Sequence, residues 1–389
     1  MRKKLFLIVA CVAIFAVGAL TAGCGGAKKQ DPNEIRIGAN FELTGGVANY
    51  GRQCLEGIQL AVKEVNEAGG LLGGRKIRLI VADNKSEPAE STNAITKLIR
   101  QDNVVAVLGP ATSSATLATV QVAHDNRIPV ISPSATNARV TFDNGEVRPF
   151  IFRACFIDPL QGSIMANFAR NTLGARTAVI YIDNSADYSK GLAAAFEEMF
   201  VQKGGRILSQ EAYLQRDQDF RPTLTRIRGL NPDVIFLPGY YEEVSRILRQ
   251  ARELGIDTVF LGGDGWGDPA LVEMAGAAAL NNAFFCNHFS LHDTDPNVIK
   301  FIEAVRKEYG KDPSGFNALG YDAAMLLFDA ITRAGSTDSV AIRDALAATE
   351  DLLLATSKVT IDERHNPIKS AVIIELRDGE QLFKEKIYP

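Results

Sequence analysis

"VVAVLGPATSSATLATVQVAHDNRIPVIS", residues 104–132, decides the fold. Two short apolar runs, 104–109 and 128–132, flank a segment of helical length, 113–126. Strand, crossover helix and strand make a βαβ unit, whose strands lie parallel in a sheet covered on both faces. The pattern continues towards the N-terminus. "IRIGANF" (35–41) and "KIRLIVAD" (76–83) read as strands. Leu55, Ile58, Val62 and Val65 recur at helical spacing before Gly69 and Gly70, and Pro88 opens a helix over 88–101.

After a break the alternation starts again. Helical patterns over 159–173, 187–203, 219–229 and 241–254 alternate with "TAVIYID" (177–183), "RILSQEAYL" (206–214), "DVIFLPG" (233–239) and "TVFLGG" (258–263). Three helical segments follow over 296–349, and 370–388 reads as a β-hairpin turning at Asp378 and Gly379. The expected fold is α/β, with two Rossmann-like, doubly wound lobes. In such sheets ligands sit outside the carboxyl ends of the strands.

Of the 389 residues, 46% are hydrophobic and 23% charged, with a net charge of −4. That balance suits two ordinary globular units. With no long basic run and no aromatic–basic platform, nucleic acid is not an expected partner. The start, "MRKKLFLIVACVAIFAVGALTAGC", has a basic head, an apolar stretch from Leu5 to Leu20 and a small-residue end, the layout of a secretory signal over 1–23. Thr21-Ala22-Gly23-Cys24 resembles the lipobox of bacterial lipoproteins, which implies lipidation of Cys24 and a polar tether over 24–33. Removing residues 1–23 takes Arg2, Lys3 and Lys4 from the 42 basic residues, leaving 39 against 46 acidic and a charge of −7. Cys54, Cys155 and Cys286 remain in the body of the chain, with no CxxC among them, and read as small buried hydrophobes.

The loop "GPATSSATL" (109–117) is rich in hydroxyls but has no Gly-x-Ser-x-Gly elbow and no His or Lys to activate them. It leads into a helix, so its amides and hydroxyls suit an anion. "ISPSATNA" (131–138) follows the next strand with Ser134, Thr136 and Asn137. Neither loop carries the Lys or Arg expected for phosphate, and a carboxylate is the simplest partner for both. Helix capping and turn closure are the alternative use of the same hydroxyls.

Six blocks occur in order: "YGRQCLEGIQLAVKEVNEAGG" (50–70), "GPATSSATLA" (109–118), "IPVISPSATNA" (128–138), "DYSKGLAAAFEE" (187–198), "PGYYEEVSRILRQARELG" (238–255) and "GGDGW" (262–266). In these the chain resembles the type I solute-binding proteins, in the leucine/isoleucine/valine-binding branch of receptors for ABC importers. The resemblance implies two lobes joined by three crossings, lobe I as 31–156 plus 289–364 and lobe II as 157–288 plus 365–389. It implies an extracytoplasmic, lipid-anchored receptor without cofactor, metal or catalysis, which hands an amino acid to an ABC permease. By the same resemblance Ser113 and Thr136, with the backbone around Ser134, take the ligand carboxylate. Asp264 takes the α-ammonium, where other members often carry the longer Glu. Tyr188 and Tyr240 touch the ligand from lobe II, and Tyr50 walls the cleft from lobe I. A disulfide found in lobe I of some members has no pair here: Thr112 stands at one matching position and Cys54 does not fit the other. An amide, urea or sensory receptor of the same fold is the alternative, and it would lack the ammonium site.

Other motifs carry less. "GGLLGGRK" (69–76) has Arg75-Lys76 in place of a P-loop Lys-Ser/Thr and precedes a strand, so it reads as a turn. "HFSLHDTD" (288–295) holds two His and two Asp, but an extended stretch would spread them as metal ligands, and a lobe-crossing strand is expected. Tyr309, Phe316, Tyr321 and Phe328 read as helix core, and Trp266 as cleft wall or packing. A hydrolase reading finds no triad around His124 or His365.

Overall fold

The strand–helix–strand unit of 104–132 lies at the centre of a five-stranded sheet in a computed structural model that describes residues 31–388. The signal, Cys24 and most of the tether lie outside the described residues. In chain order the first sheet and its helices are β1 (Glu34–Phe41), α1 (Ala48–Glu67), β2 (Lys76–Asp83), α2 (Pro88–Arg100), β3 (Ala106–Leu108), α3 (Ser113–Asn126), β4 (Val130–Ser132) and β5 (Ile151–Arg153). The strand order is β2-β1-β3-β4-β5, and the β1–β3, β3–β4 and β4–β5 pairs are parallel. β3, β4 and β5 are buried throughout, as strands covered on both faces must be.

The second sheet is larger. Its elements are α4 (Asp158–Asn167), β6 (Thr177–Asp183), α5 (Asp187–Gln202), β7 (Arg206–Tyr213), α6 (Arg221–Leu230), β8 (Val234–Phe236), α7 (Tyr241–Glu253), β9 (Val259–Gly262), α8 (Ala270–Ala275) and β10 (Ala283–Asn287). Then come α9 (Pro296–Tyr309), α10 (Gly315–Ala334) and α11 (Ser339–Ala347), and a final hairpin of β11 (Ala371–Arg377) and β12 (Glu380–Ile387). The order β12-β11-β10-β9-β8-β6-β7 is parallel except for the antiparallel edge made by the hairpin. The protein is thus α/β in two lobes.

α10 lies in sequence between β10 and β11 of the second sheet but packs on α1, beside the first sheet. Small residues make that contact possible. A Cβ on Gly57 would lie 2.0 Å from the Asn317 carbonyl oxygen, and one on Gly320 would lie 2.1 Å from that of Cys54. Any larger residue would force the two backbones apart. The close approach sets Tyr50 of α1 on Phe316 of α10, ring centroids 4.3 Å apart and nearly parallel.

Three expectations change. β5 and β10, where the sequence pattern predicts no element, are strands; each is a short buried run, apolar but for its last residue (Arg153, Asn287), which periodicity does not separate from a helix turn or a loop. Residues 288–295 are not a strand. The ladder of β10 with β11 ends at the Asn287–Val372 pair, and the chain then turns. Asp293 pairs with Lys386 at 2.9 Å and Asp295 caps α9 through the Asn297 amide, so these acids serve separate local tasks. The helix expected over 159–173 starts at Asp158 and turns π-helical over Phe168–Thr172.

Buried polar groups tie the chain where it passes between the sheets. Arg153, wholly buried, donates to the carbonyls of Ala135 (2.6 Å) and Asn137 (3.0 Å) and to Thr141 Oγ1 (3.0 Å), which fixes the loop after β4. Lys369 Nζ, also buried, donates to the Ala154 carbonyl at 3.2 Å and to Thr356 Oγ1 at 2.9 Å, beside Asp322. A buried charge without such partners would be costly. Cys54, Cys155 and Cys286 are buried free thiols.

Candidate ligand-binding cleft

The loops after β1, β3 and β4 meet those after β6, β8 and β9 across a narrow cleft. A cavity of about 10 Å³ remains at its centre, lined by Tyr50, Ala111, Thr112, Ser113, Ser134, Tyr188, Tyr240, Asp264, Gly265 and Phe316. That is room for about one water, so an amino acid needs the lobes to part. Volume alone does not select this place. A cavity of about 520 Å³ lies beside residues 287–292, but its Arg306 and Asp312 pair with each other at 2.6 Å.

Six of the seven residues singled out from the sequence surround the central cavity: Tyr50, Ser113, Ser134, Tyr188, Tyr240 and Asp264. Thr136 does not line it. Its hydroxyl is buried next to Asp158 without a well-formed hydrogen bond. Phe316, expected only as core, lines the cavity. Trp266 is packing: it is fully buried, donates Nε1–H to the Leu237 carbonyl at 3.1 Å, and lies where a Cβ on Gly262 would be 2.2 Å from its ring. The spacing of "GGDGW" follows from such contacts. A Cβ on Gly263 would lie 2.6 Å from the Tyr188 hydroxyl, and one on Gly265 2.7 Å from the Gly239 carbonyl oxygen.

The loop before α3 is partly satisfied from within. Glu42, wholly buried at the end of β1, accepts from the Ala111 and Thr112 amides, both at 3.1 Å, and from Thr112 Oγ1 at 2.7 Å. Burial pushes its carboxyl above the ordinary range. Two amides of the expected anion site are therefore held by the protein's own carboxylate, and Thr112 does not cap α3 with its side chain. Ser113 Oγ accepts from the Asn137 amide at 3.2 Å, and Ser134 Oγ donates to the Ala111 carbonyl at 2.8 Å, so the two loops brace each other.

On the opposite wall Asp264 is buried and held from two sides. Its Oδ1 accepts from Gln161 Nε2 at 3.1 Å, and its Oδ2 is 3.0 Å from His288 Nε2. Gln161 also donates to Asp158 Oδ1 at 2.9 Å. Burial first, with the charge of Asp264 adding to it, raises the Asp158 carboxyl to about 7. Burial lowers the His288 ring to about 4. Tyr188 and Tyr240 stack at 5.2 Å, and Tyr50 meets Tyr240 edge-on at 5.6 Å.

Several bonds cross the cleft. The Tyr50 hydroxyl donates to the Gly265 carbonyl and accepts from the Tyr241 amide at 3.0 Å. Ser114 Oγ donates to Asp187 Oδ2 at 2.9 Å, Asn137 Nδ2 to the Asp187 carbonyl at 2.7 Å, and Gln53 Nε2 to Asp268 Oδ2 at 3.0 Å. The Arg216–Glu87 ion pair is exposed and contributes under about 1 kcal/mol. Bonds sheltered from water, at about 0.5–1.5 kcal/mol each, hold the lobes more firmly.

The sequence profile of the family described as Periplasmic binding protein matches residues 34–381. The chain is a type I periplasmic binding protein of the branched-chain amino acid family. A leucine binding protein, LivK, from Thermotoga maritima is similar in structure at a TM-score of 0.86 and 38% identity, covering 91% of this chain and 99% of that one. The LivJ substrate binding protein of Streptococcus pneumoniae, solved with isoleucine, gives 0.85 and 38% over 92% and 100%. A Leu/Ile/Val-binding protein of Rhizobium johnstonii is 30% identical over 331 residues, 85% of this chain and 88% of that one. Proteins of this family are solute-binding components of ABC transporters, with an extracytoplasmic location. Among the described residues no helix is long and apolar enough to cross a membrane, and no group of three or more His, Cys, Asp or Glu is placed to hold a metal ion.

The periplasmic binding protein's sequence hides part of its cleft. Glu42, Gln161 and His288 reach it through contacts between residues far apart in the chain. In the sequence His288 stands out only as one of a possible metal cluster. Asp158 and Gln161 do stand three apart at a helix start, a spacing that puts both on one face.

Proposed function

We propose that this chain binds an aliphatic α-amino acid between its lobes, with a branched-chain amino acid as the preferred class, and delivers it to an ABC permease. The observation that carries the reading is the opposition across one cavity of Ser113 and Ser134 on one wall to Asp264 with Tyr188 and Tyr240 on the other. Ser113 and the start of α3 take the carboxylate, Asp264 takes the ammonium, and Tyr50, Tyr240 and Phe316 enclose the side chain. Thr136 acts through its loop, which Arg153 holds in place. Lobe I comprises 31–156 and 289–364, lobe II 157–288 and 365–389, and the crossings between them are the hinge. A ligand that touches both lobes favours the closed form. No step of chemistry is needed. The isoleucine complex of the Streptococcus pneumoniae relative, at 38% identity, supports the same ligand class.

Isoleucine, leucine and valine are each expected to bind the purified protein in calorimetry, and X-ray scattering is expected to show a smaller radius of gyration at saturation. Binding of none of the twenty amino acids would overturn the reading. Binding with an unchanged radius would overturn the hinge.

The proposal includes an anchor. Cys24, after a basic and apolar leader, is diacylated, and two acyl chains hold a protein at a bilayer where one is marginal. Intact mass is expected to show the lipid on the wild type and a retained leader in Cys24→Ser. Equal N-terminal masses, without acyl chains on either, would refute the anchor.

A further inference from the structure

The acid assigned to the ammonium is an Asp, a short side chain whose carboxylate must be brought to the ligand and kept in one orientation. Two donors from separate parts of the chain do this. Gln161, on α4, donates to Oδ1 at 3.1 Å and accepts from the Asp264 amide at 3.2 Å. His288, one residue past the end of β10, meets Oδ2 with Nε2 at 3.0 Å. Its ring lies on Phe156, with centroids 3.5 Å apart and planes 25° from parallel, and its own amide donates to Asn287 Oδ1 at 2.8 Å. Ring plane and ring position are therefore both fixed.

We propose that His288, as the neutral Nε2–H imidazole, is the positioning residue that aims Asp264 at the ligand ammonium and makes the cleft discriminate amino acids from the same acids without the amine. The inference rests on the reading of the cleft as an amino-acid site.

Geometry selects the protonation form. An ionised carboxylate only accepts, so the nitrogen facing it carries the proton. The other nitrogen, Nδ1, is buried with no hydrogen-bond partner. A second proton there would lie in the interior with nothing to accept it, and the Lys369 ammonium is near enough to oppose it. A cationic ring would also neutralise Asp264 and weaken its pull on an ammonium. A neutral donor orients the carboxylate and leaves its charge for the ligand. A histidine that only packs against Phe156 would have no effect on the choice between an amine and its absence.

The test compares isoleucine with 3-methylpentanoate, its des-amino analogue, on wild type, His288→Leu, His288→Gln and Asp264→Asn. Both ligands are titrated by calorimetry or, where weak, by NMR. His288→Leu is expected to weaken isoleucine by about 10- to 100-fold, the loss of one hydrogen bond to a charged group, and to leave 3-methylpentanoate within about threefold. His288→Gln, a neutral donor, is expected to restore much of the selectivity. Equal losses for both ligands, or none for either, would overturn the proposal. If Asp264→Asn also leaves isoleucine binding unchanged, the ammonium reading itself has failed; if Asp264→Asn is weak and His288→Leu is not, only the role of His288 has. Nitrogen-15 NMR on histidine-labelled wild type supplies a readout independent of affinity. The His288 ring is expected as the Nε2–H tautomer at pH 7, and a cationic or Nδ1–H ring would overturn the assignment.

Discussion

Replacing Asp264 by asparagine is expected to weaken isoleucine binding by about 30- to 1000-fold, or about 2–4 kcal/mol, when measured by calorimetry. The substitution keeps the size and removes the charge proposed to meet the ammonium inside a closed cleft. The carboxylate is buried and accepts from Gln161 and faces His288, so the fold feels the change as well. An amide presents one acceptor and one donor where two acceptors stood. Its donor end can face His288 only if the ring moves its proton from Nε2 to Nδ1, which has no buried partner. A stability loss of about 1–3 kcal/mol in the ligand-free protein is therefore expected beside the larger loss of affinity. An affinity within about threefold of wild type would refute the ammonium role.

The second large effect is a pair of opposed pH dependences. Asp158 titrates at about 7 in the fold against an ordinary 3.8, chiefly through burial. The folded state holds this proton more tightly than the unfolded chain. Its contribution to stability is full below pH 3.8 and is lost as pH rises through 7. His288 behaves in the opposite sense, with an ordinary value of 6.5 lowered to about 4 by burial. Its contribution is full above pH 6.5 and is lost as pH falls through 4. Between pH 4 and 6.5 the two slopes, each at most about 1.4 kcal/mol per pH unit, oppose one another.

Single substitutions uncover each slope. Asp158→Asn is expected to become more stable relative to wild type as pH rises from 4 to 7, by about 4 kcal/mol over the whole range, since it has no buried carboxyl to ionise. His288→Gln is expected to lose about 3 kcal/mol of its standing relative to wild type between pH 4 and 6.5, because it has escaped the acid penalty of the ring. Urea unfolding of the three ligand-free proteins at a series of pH values measures the differences, in which titrations of groups remote from Asp158, His288 and Asp264 cancel. Flat difference curves, within about 0.5 kcal/mol, would show that neither group is shifted as described.

Much of the fold was legible in the sequence because it rests on local signals. Strands 76–83 and 177–183 and the helix 113–126 have the bounds that their apolar runs and flanking turns predict. β5 and β10 escaped because a buried run of three or five residues, each ending in a polar side chain, has no period of its own. The cleft was legible in a different way. Hydroxyl loops at strand ends mark a candidate ligand site on physical grounds, but the pairing of Ser113 with Asp264 across two lobes rests on the family resemblance. Glu42, Gln161 and His288 belong to neither source. Each is an ordinary polar residue in the sequence, and only the folded chain sets it against Thr112 or Asp264.

The close contact between Gly57 and Asn317, and between Gly320 and Cys54, also has a consequence in time. A chain made from its N-terminus completes every strand of the first sheet by residue 153, yet the helix that lies on α1 begins at Gly315. The apolar side of α1 then waits for some 160 further residues, among them five of the second sheet's seven strands, before its partner exists. Pairings so distant in sequence are slow to form, and uncovered apolar faces invite aggregation meanwhile. The first lobe is thus the first to be made and among the last to be finished, and its unpaired helix is a surface that a holding chaperone would grip during synthesis.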